Sequence, residues 1–257
     1  IVYDVFSVGN FYNRTDSDSR FVRHDSATAG TDNFIAGNNA GDAITSGGNQ
    51  NTLVGNEAGT SITTGDDNTA VGYGAADAVT TGIRNTAVGT NALGVEVAGN
   101  YTTAIGEGAL ASQTNGSSTD VYNTAVGYQA GVSVTTGKFN TFLGGLAGDA
   151  INTANSNVAL GYKARQRAPK GENSVAIGDQ ALASQNFTSS ADSYNIAIGS
   201  SAGTSITTAI QNIHIGALAG DAVTVGADNV SVGYNALSAE VGGQNNTAIG
   251  TRALRDQ

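Results

Sequence analysis

A chain of 257 residues has room for one or two domains of ordinary size. Its 36 glycines against a single proline, with no cysteine, methionine or tryptophan, exclude collagen, disulfides and thiolate chemistry and disfavour long helices. Eleven basic against 21 acidic residues give a net charge of −10, which repels nucleic acid; no apolar run approaches the roughly 20 residues of a membrane span.

The apolar residues, 39% of the chain, recur at regular intervals instead of being diluted among charges, which argues against disorder. The chain begins at Ile1 without any Met, so a fragment or processed chain is expected, and a missing signal peptide carries no information on export. Residues 1–32 contain Tyr3, Phe6, Phe11, Tyr12 and Phe21 but no repeat motif, and Val2 to Val8 reads as a strand of mixed facing. This stretch is expected to cap the open end of the repeats or to finish a preceding domain.

Residues 33–257 form the second domain, and they repeat. The string Asn68-Thr69-Ala70-Val71-Gly72 recurs unchanged at Asn85 to Gly89 and at Asn123 to Gly127, with looser copies along the chain. The motif glycine occurs thirteen times from Gly37 to Gly250, spaced by 17 residues except for one step of 18 and two of 21. Gly55 to Gly127 and Gly127 to Gly199 are each 72 residues, three short steps and one long. Ala109 to Gln113 and Ala181 to Gln185 are identical and open the two long steps. A duplicated four-coil block accounts for this pattern.

Seventeen residues fit two short strands and two turns. In the third coil the strands are expected at Asn68–Val71 and Asp77–Thr81, with turns at Gly72–Ala76 and Gly82–Arg84. Thr69 and Val71 then share one face while Asn68 and Ala70 share the other. The recurrent Ala implies a narrow interior. The Asn heading most coils is expected to form a ladder, its amide bonded to the same group above and below. The fold class is therefore all-β, a parallel β-solenoid of about thirteen coils and roughly 60 Å length. A second apolar row of Val and Ile is left on the outside, and a homotrimer of cyclic symmetry would cover it.

Asn173-Ser174-Val175-Ala176-Ile177-Gly178 and Asn195-Ile196-Ala197-Ile198-Gly199 resemble the head repeat of YadA-type trimeric autotransporter adhesins. The wider pattern N-T-A-V-G-Y-x-A-G…T-T-G-x-x-N-T resembles repeats in tail fibres of bacteriophages and other large viruses. The resemblance covers residues 33–254. It implies a left-handed, trimeric β-roll displayed extracellularly, on a virion or a bacterial cell surface. The adhesin repeat is shorter than the 17 or 21 residues found here.

The two inserts, Thr114 to Val121 and Phe187 to Ser193, are candidate contact loops. Asn115, Ser117, Asp120, Tyr122, Thr188, Asp192 and Tyr194 are their candidate ligand residues, suited to a host glycan or protein receptor, although any solvated loop shares that composition. Lys163, Arg165, Arg167 and Lys170 cluster beside Pro169 as a docking patch for an acidic partner or as a solvated corner. Asp16-Ser17-Asp18 and Asp66-Asp67 offer oxygens to Ca²⁺ without the spacing of an EF-hand loop. His24 and His214 are the only imidazoles, and His214 takes a slot that is Ala elsewhere. No cofactor, metal or nucleophilic triad is expected. The sequence reads as a fibre segment of a virus or phage, with an adhesin head as the alternative. A glycan-cleaving tailspike needs facing carboxylates that do not recur in the coils, and an ice-binding solenoid needs an unbroken outward Thr array.

Overall fold

The computed structural model describes residues 22–23, 30–45 and 47–255. The expectations for Val2–Val8, for the five aromatic residues near the N-terminus, for Asp16–Asp18 and for His24 lie outside the described residues.

Thirteen three-residue strands, one per coil from Phe34–Ala36 to Thr247–Ile249, stack in parallel into one sheet. Val22–Arg23 adds antiparallel at its first edge. The register sets like beside like: Thr69, Ala70 and Val71 pair with Thr86, Ala87 and Val88. The chain is thus an all-β parallel solenoid of thirteen coils, with no helix among the described residues. Pleating sends Ala70 fully inside, while Thr69 and Val71 lie half-buried on the outer face.

The expected second strand, Asp77–Thr81, is not formed. The backbone just before it turns left-handed at Gly74 and Ala76, so alternation is broken and isolated bonds replace a ladder, as from Ser61 N–H to Asp77 O at 3.0 Å. Among residues 77–81 the one N–H donor to the next coil is that of Thr80. Its N–H donates to Val97 O at 2.8 Å and its hydroxyl to the same oxygen at 3.0 Å. Among the described residues, two-residue parallel strands occur only beside the inserts, where Gly99–Asn100 pairs with Thr119–Asp120 and Gly171–Glu172 with Ala191–Asp192.

The Asn ladder exists with different wiring from that expected. Asn68 Oδ1 accepts the backbone N–H of Asn85 one coil on, at 3.0 Å. Asn68 Nδ2 donates to Gly82 O, at 2.9 Å, in the turn that closes its own coil. Direct amide-to-amide bonds supplement this in some coils, as from Asn140 to Asn123 at 3.2 Å. One side chain thereby satisfies a buried donor above it and a buried acceptor beside it.

Two of the rows that fill the interior exchange volume, beside a third that carries Ile44, Ile62, Val79, Val134, Ile151, Ile206 and Val223. Where the middle strand residue is large, at Leu53, Phe142 and His214, the row beside it is glycine on both sides: Gly41 and Gly59, Gly131 and Gly148, Gly203 and Gly220. In several coils where the strand residue is small, that row carries a leucine instead: Leu93 beside Ala87, Leu110 beside Ala104, Leu182 beside Ala176 and Leu237 beside Ser231. The backbone is left-handed throughout the row, with φ of 49 to 56 at those leucines and 56 to 61 at those glycines. The glycines are therefore required for space and not for conformation. Close packing of this kind tolerates little change in volume.

His214 is fully buried, its Nδ1 2.7 Å from Ser231 Oγ. Burial pushes its pKa down to about 4. Its folded value lies below the unfolded value near 6.5, so the stability this group allows is complete above pH 6.5 and lost as pH falls toward 4.

Gly148→Leu is expected to destabilise by at least about 3 kcal/mol, because a Cβ there lies 2.5 Å from the Phe142 ring. Adding Phe142→Ala should recover most of that loss, as a double-mutant cycle in denaturant would record. His214→Phe copies the residue that stands 72 positions earlier. It should flatten the pH dependence of stability between pH 6.5 and 4, removing up to about 3 kcal/mol of variation in thermal or urea unfolding.

Candidate functional site

The rigid stack of coils arranges equivalent residues in rows, and one row carries aromatic rings. The residue immediately before the ladder position has a left-handed backbone in every coil, which turns its side chain outward at the corner. Five successive coils place Asp67, Arg84, Tyr101, Tyr122 and Phe139 there. The Tyr101 and Tyr122 rings stack at 5.0 Å with 10° between their planes, and Tyr122 and Phe139 at 6.0 Å with 16°. Arg84 closes the first end, donating to Tyr101 Oη at 2.7 Å and pairing with Asp67 at 3.4 Å. Tyr122 and Phe139 are about half exposed, at 49% and 54%. Stacked aromatic pairs contribute about 0.5–1.5 kcal/mol beyond their burial.

The first insert leans on this ridge. Ser117 and Asp120 are exposed beside Tyr122. Asp120 Oδ1 accepts from Asn100 Nδ2 at 3.1 Å, and Asp120 Oδ2 accepts from the Tyr122 hydroxyl at 3.5 Å. Desolvation, then the Asp120 charge, push the Tyr122 phenol above its ordinary value, so it stays a neutral donor. Asn115 does not belong to this surface. It is 7% exposed and turns inward, where its N–H and amide hold the carboxylate of Glu96 at 3.0 and 2.8 Å. Three further N–H groups, of Val97, Ala98 and Gly99, and the amide of Gln113 complete the shell around that buried carboxylate.

The second insert is built differently. Phe187 takes the place of Asn115 and packs into the core. Thr188, Asp192 and Tyr194 are exposed. Asp192 Oδ1 accepts from Asn173 Nδ2 at 2.6 Å, Ser190 Oγ donates to Glu172 at 2.6 Å, and Lys170 Nζ donates to Thr188 O at 3.2 Å.

The basic cluster is split by the solenoid wall. Arg167 and Lys170 are exposed, and the Lys163 ammonium sits 5.2 Å from the Tyr162 ring centre. Arg165 is fully buried and is no contact residue. It occupies the interior row that holds Leu93 one block earlier, and reaches Asn157 Oδ1 at 2.8 Å and Gly171 O at 2.6 Å. Burial pushes its pKa down to about 9, and its Nε has no partner among the described residues. The cluster in sequence thus leaves three cations outside.

Asp77, Asp149 and Asp221 stand 72 residues apart, each with one buried oxygen lacking a partner among the described residues. Desolvation raises all three pKa values. Asp66 and Asp67 are committed to other partners: Asp66 accepts from Asn49 N at 2.7 Å and Asp67 faces Arg84. Among the described residues no three His, Asp or Glu are grouped to hold a metal ion, and no helix is long and apolar enough to cross a membrane.

Sequence reasoning missed Tyr101, Phe139 and Arg84 as partners of Tyr122. The available signal was their shared place just before the coil-heading position, at the repeat spacings of 17 and 21.

Arg165→Leu should raise stability by about 1–3 kcal/mol in urea unfolding, because both acceptors keep other donors. Asn157 Oδ1 retains Ser174 N–H and Gly171 O retains Asn157 Nδ2. No protein-family model, curated protein or solved structure matches the chain.

Proposed function

We propose that this chain is a segment of a trimeric surface fibre, structural and adhesive rather than catalytic, displayed outside the cell on a virion or a bacterial surface. The observation that carries this reading is the outer face of the sheet. Its third strand position is apolar in every coil: Ile105, Leu143, Ile198, Ile215 and Ile249 are 37–70% exposed, and Val54, Val71, Val88, Val126, Leu160, Ile177 and Val232 lie between. The strip measures roughly 60 by 10 Å, about 600 Å² per chain, which reaches the scale of a specific interface once flanking copies cover it. Three copies about one axis close such a face without leaving an open edge.

The face is graded along its length. From Thr52 to Thr141 the first strand position is Thr, whereas Val158, Val175, Ile196, Ile213 and Val230 make both outer rows apolar in the later coils. Association is therefore strongest in the C-terminal half. The edge beside this face carries the aromatic ridge and the insert loops, which are the surface offered to a host glycan or protein receptor. A net charge of −10 disfavours nucleic acid as that partner.

Sedimentation equilibrium should give three times the chain mass of 25.6 kDa. Leu160→Glu with Ile177→Glu should shift the protein to smaller species, and Val71→Glu with Val88→Glu should do so less. A stable, folded monomer at micromolar concentration overturns the trimer.

A further inference from the structure

We propose that the gap in the corner row between Phe139 and Asn173 binds one pyranose ring of a surface glycan. This deepens the adhesive reading above and rests on it. Tyr122 covers one face of the Phe139 ring, and the other face looks toward the next coil, where the row continues with Ser156. Ser156 carries the smallest side chain among the row's thirteen left-handed residues, from Asp32 to Asn245. The ring stack therefore ends above a floor that holds no bulk. Asn173 stands one coil further, so the gap spans two strand spacings, about 9.6 Å. A ring stacked on an aromatic face sits about 4.5–7 Å from it, centre to centre, so one ring fits the gap and two do not.

The chemistry around the gap matches a sugar. A pyranose offers a C–H face to an aromatic ring and hydroxyls at its rim. Phe139, 54% exposed, supplies the apolar wall. The exposed Ser156 hydroxyl forms the floor. At the opposite wall the Asn173 amide is held by Asp192 Oδ1 at 2.6 Å, which orients an amide–carboxylate pair for adjacent hydroxyls. Asp192 belongs to the second insert, and Tyr122, which backs Phe139, directly follows the first. The two inserts thus bracket the gap, which gives both a place in one site. Tyr194 continues the row one coil beyond Asn173.

Saturation-transfer NMR on the intact assembly tests this, using methyl glycosides of glucose, galactose and N-acetylglucosamine at about 10 mM, tenfold above a Kd of about 1 mM. At least one glycoside should show transfer to its ring C–H protons. Ser156→Tyr extends the stack into the gap, on a backbone that Tyr101 and Tyr122 already adopt at φ 58 and 52. It should abolish the transfer, Phe139→Ala should reduce it several-fold, and the distant Tyr73→Ala should leave it intact. Transfer that persists in Ser156→Tyr overturns the gap as the site while leaving a glycan-binding fibre standing. Loss in Tyr73→Ala as well, or no transfer with any of the three glycosides, also overturns the gap. The trimeric fibre is judged separately, by sedimentation.

Discussion

The Asn side chain at the head of each coil sets the register on which every other feature depends. Its carbonyl accepts the N–H of the residue one coil later and its amide closes its own coil, so a slip of one residue would leave both buried groups unsatisfied, at a cost of about 1–3 kcal/mol each. Register held this firmly converts a linear repeat into rows. The apolar outer row, the ring stack and the interior Ala and Leu rows are all consequences of one side chain that repeats. Thr102 and Ser174 replace it in the two coils that carry the inserts. At the first, Gln113 substitutes for the missing amide, donating to Thr102 Oγ1 at 3.0 Å and accepting from Asn123 at 2.8 Å. The extra residues of a long coil are thus linked to a local change of ladder chemistry.

Inside the coil the constraint is volume. In the narrow interior a large side chain comes from the strand row or from the left-handed corner row, seldom from both at one level, and a third row of Ile62, Val79, Val134, Ile151 and Ile206 packs beside them. Phe142 and His214 supply it from the strand, with glycines opposite, while Leu110 and Leu182 supply it from the corner, with alanines opposite. This exchange between rows accommodates the variation in side-chain size along the rod. It also explains how a polar imidazole enters the core: it fits the Phe slot in shape, and Ser231 in the next coil provides its hydrogen bond.

The parts of the structure that are legible in sequence are those fixed by period alone. Thirteen coils, inward Ala, outward Thr and Val, and the slot of His214 all derive from spacing and the pleat. The second strand is not legible, because β-branched composition at Val79 and Thr80 suggests a ladder, whereas the left-handed turns at Gly74 and Ala76 leave isolated bonds at Asp77 and Thr80. Asn115 and Arg165 mislead for a different reason. Their polar side chains suggest exposure, although in a solenoid the position within the coil decides it. Arg165 stands 72 residues after the buried Leu93, and that comparison alone places it inside.

The two blocks solve one packing problem with opposite charges. In the first, the Glu96 carboxylate enters the core and collects the N–H groups of Val97, Ala98, Gly99 and Asn115 together with two amides. In the second, Ala168 stands at the Glu96 position, Pro169 has no N–H to give, and the Arg165 guanidinium donates to Gly171 O instead. Phe187 fills the volume that the carboxylate shell vacates. Gln185, the counterpart of Gln113, is left with neither amide atom paired among the described residues. The anionic solution satisfies every group and anchors its loop by Asn115, close to the ring stack. The cationic one anchors its loop by an apolar ring, and at its surface Asp192 meets Asn173 as Asp120 meets Asn100 in the first. The two inserts therefore differ in the group that anchors each from inside, Asn115 in one and Phe187 in the other, and in the amide that meets the outward carboxylate, Asn100 for Asp120 and Asn173 for Asp192.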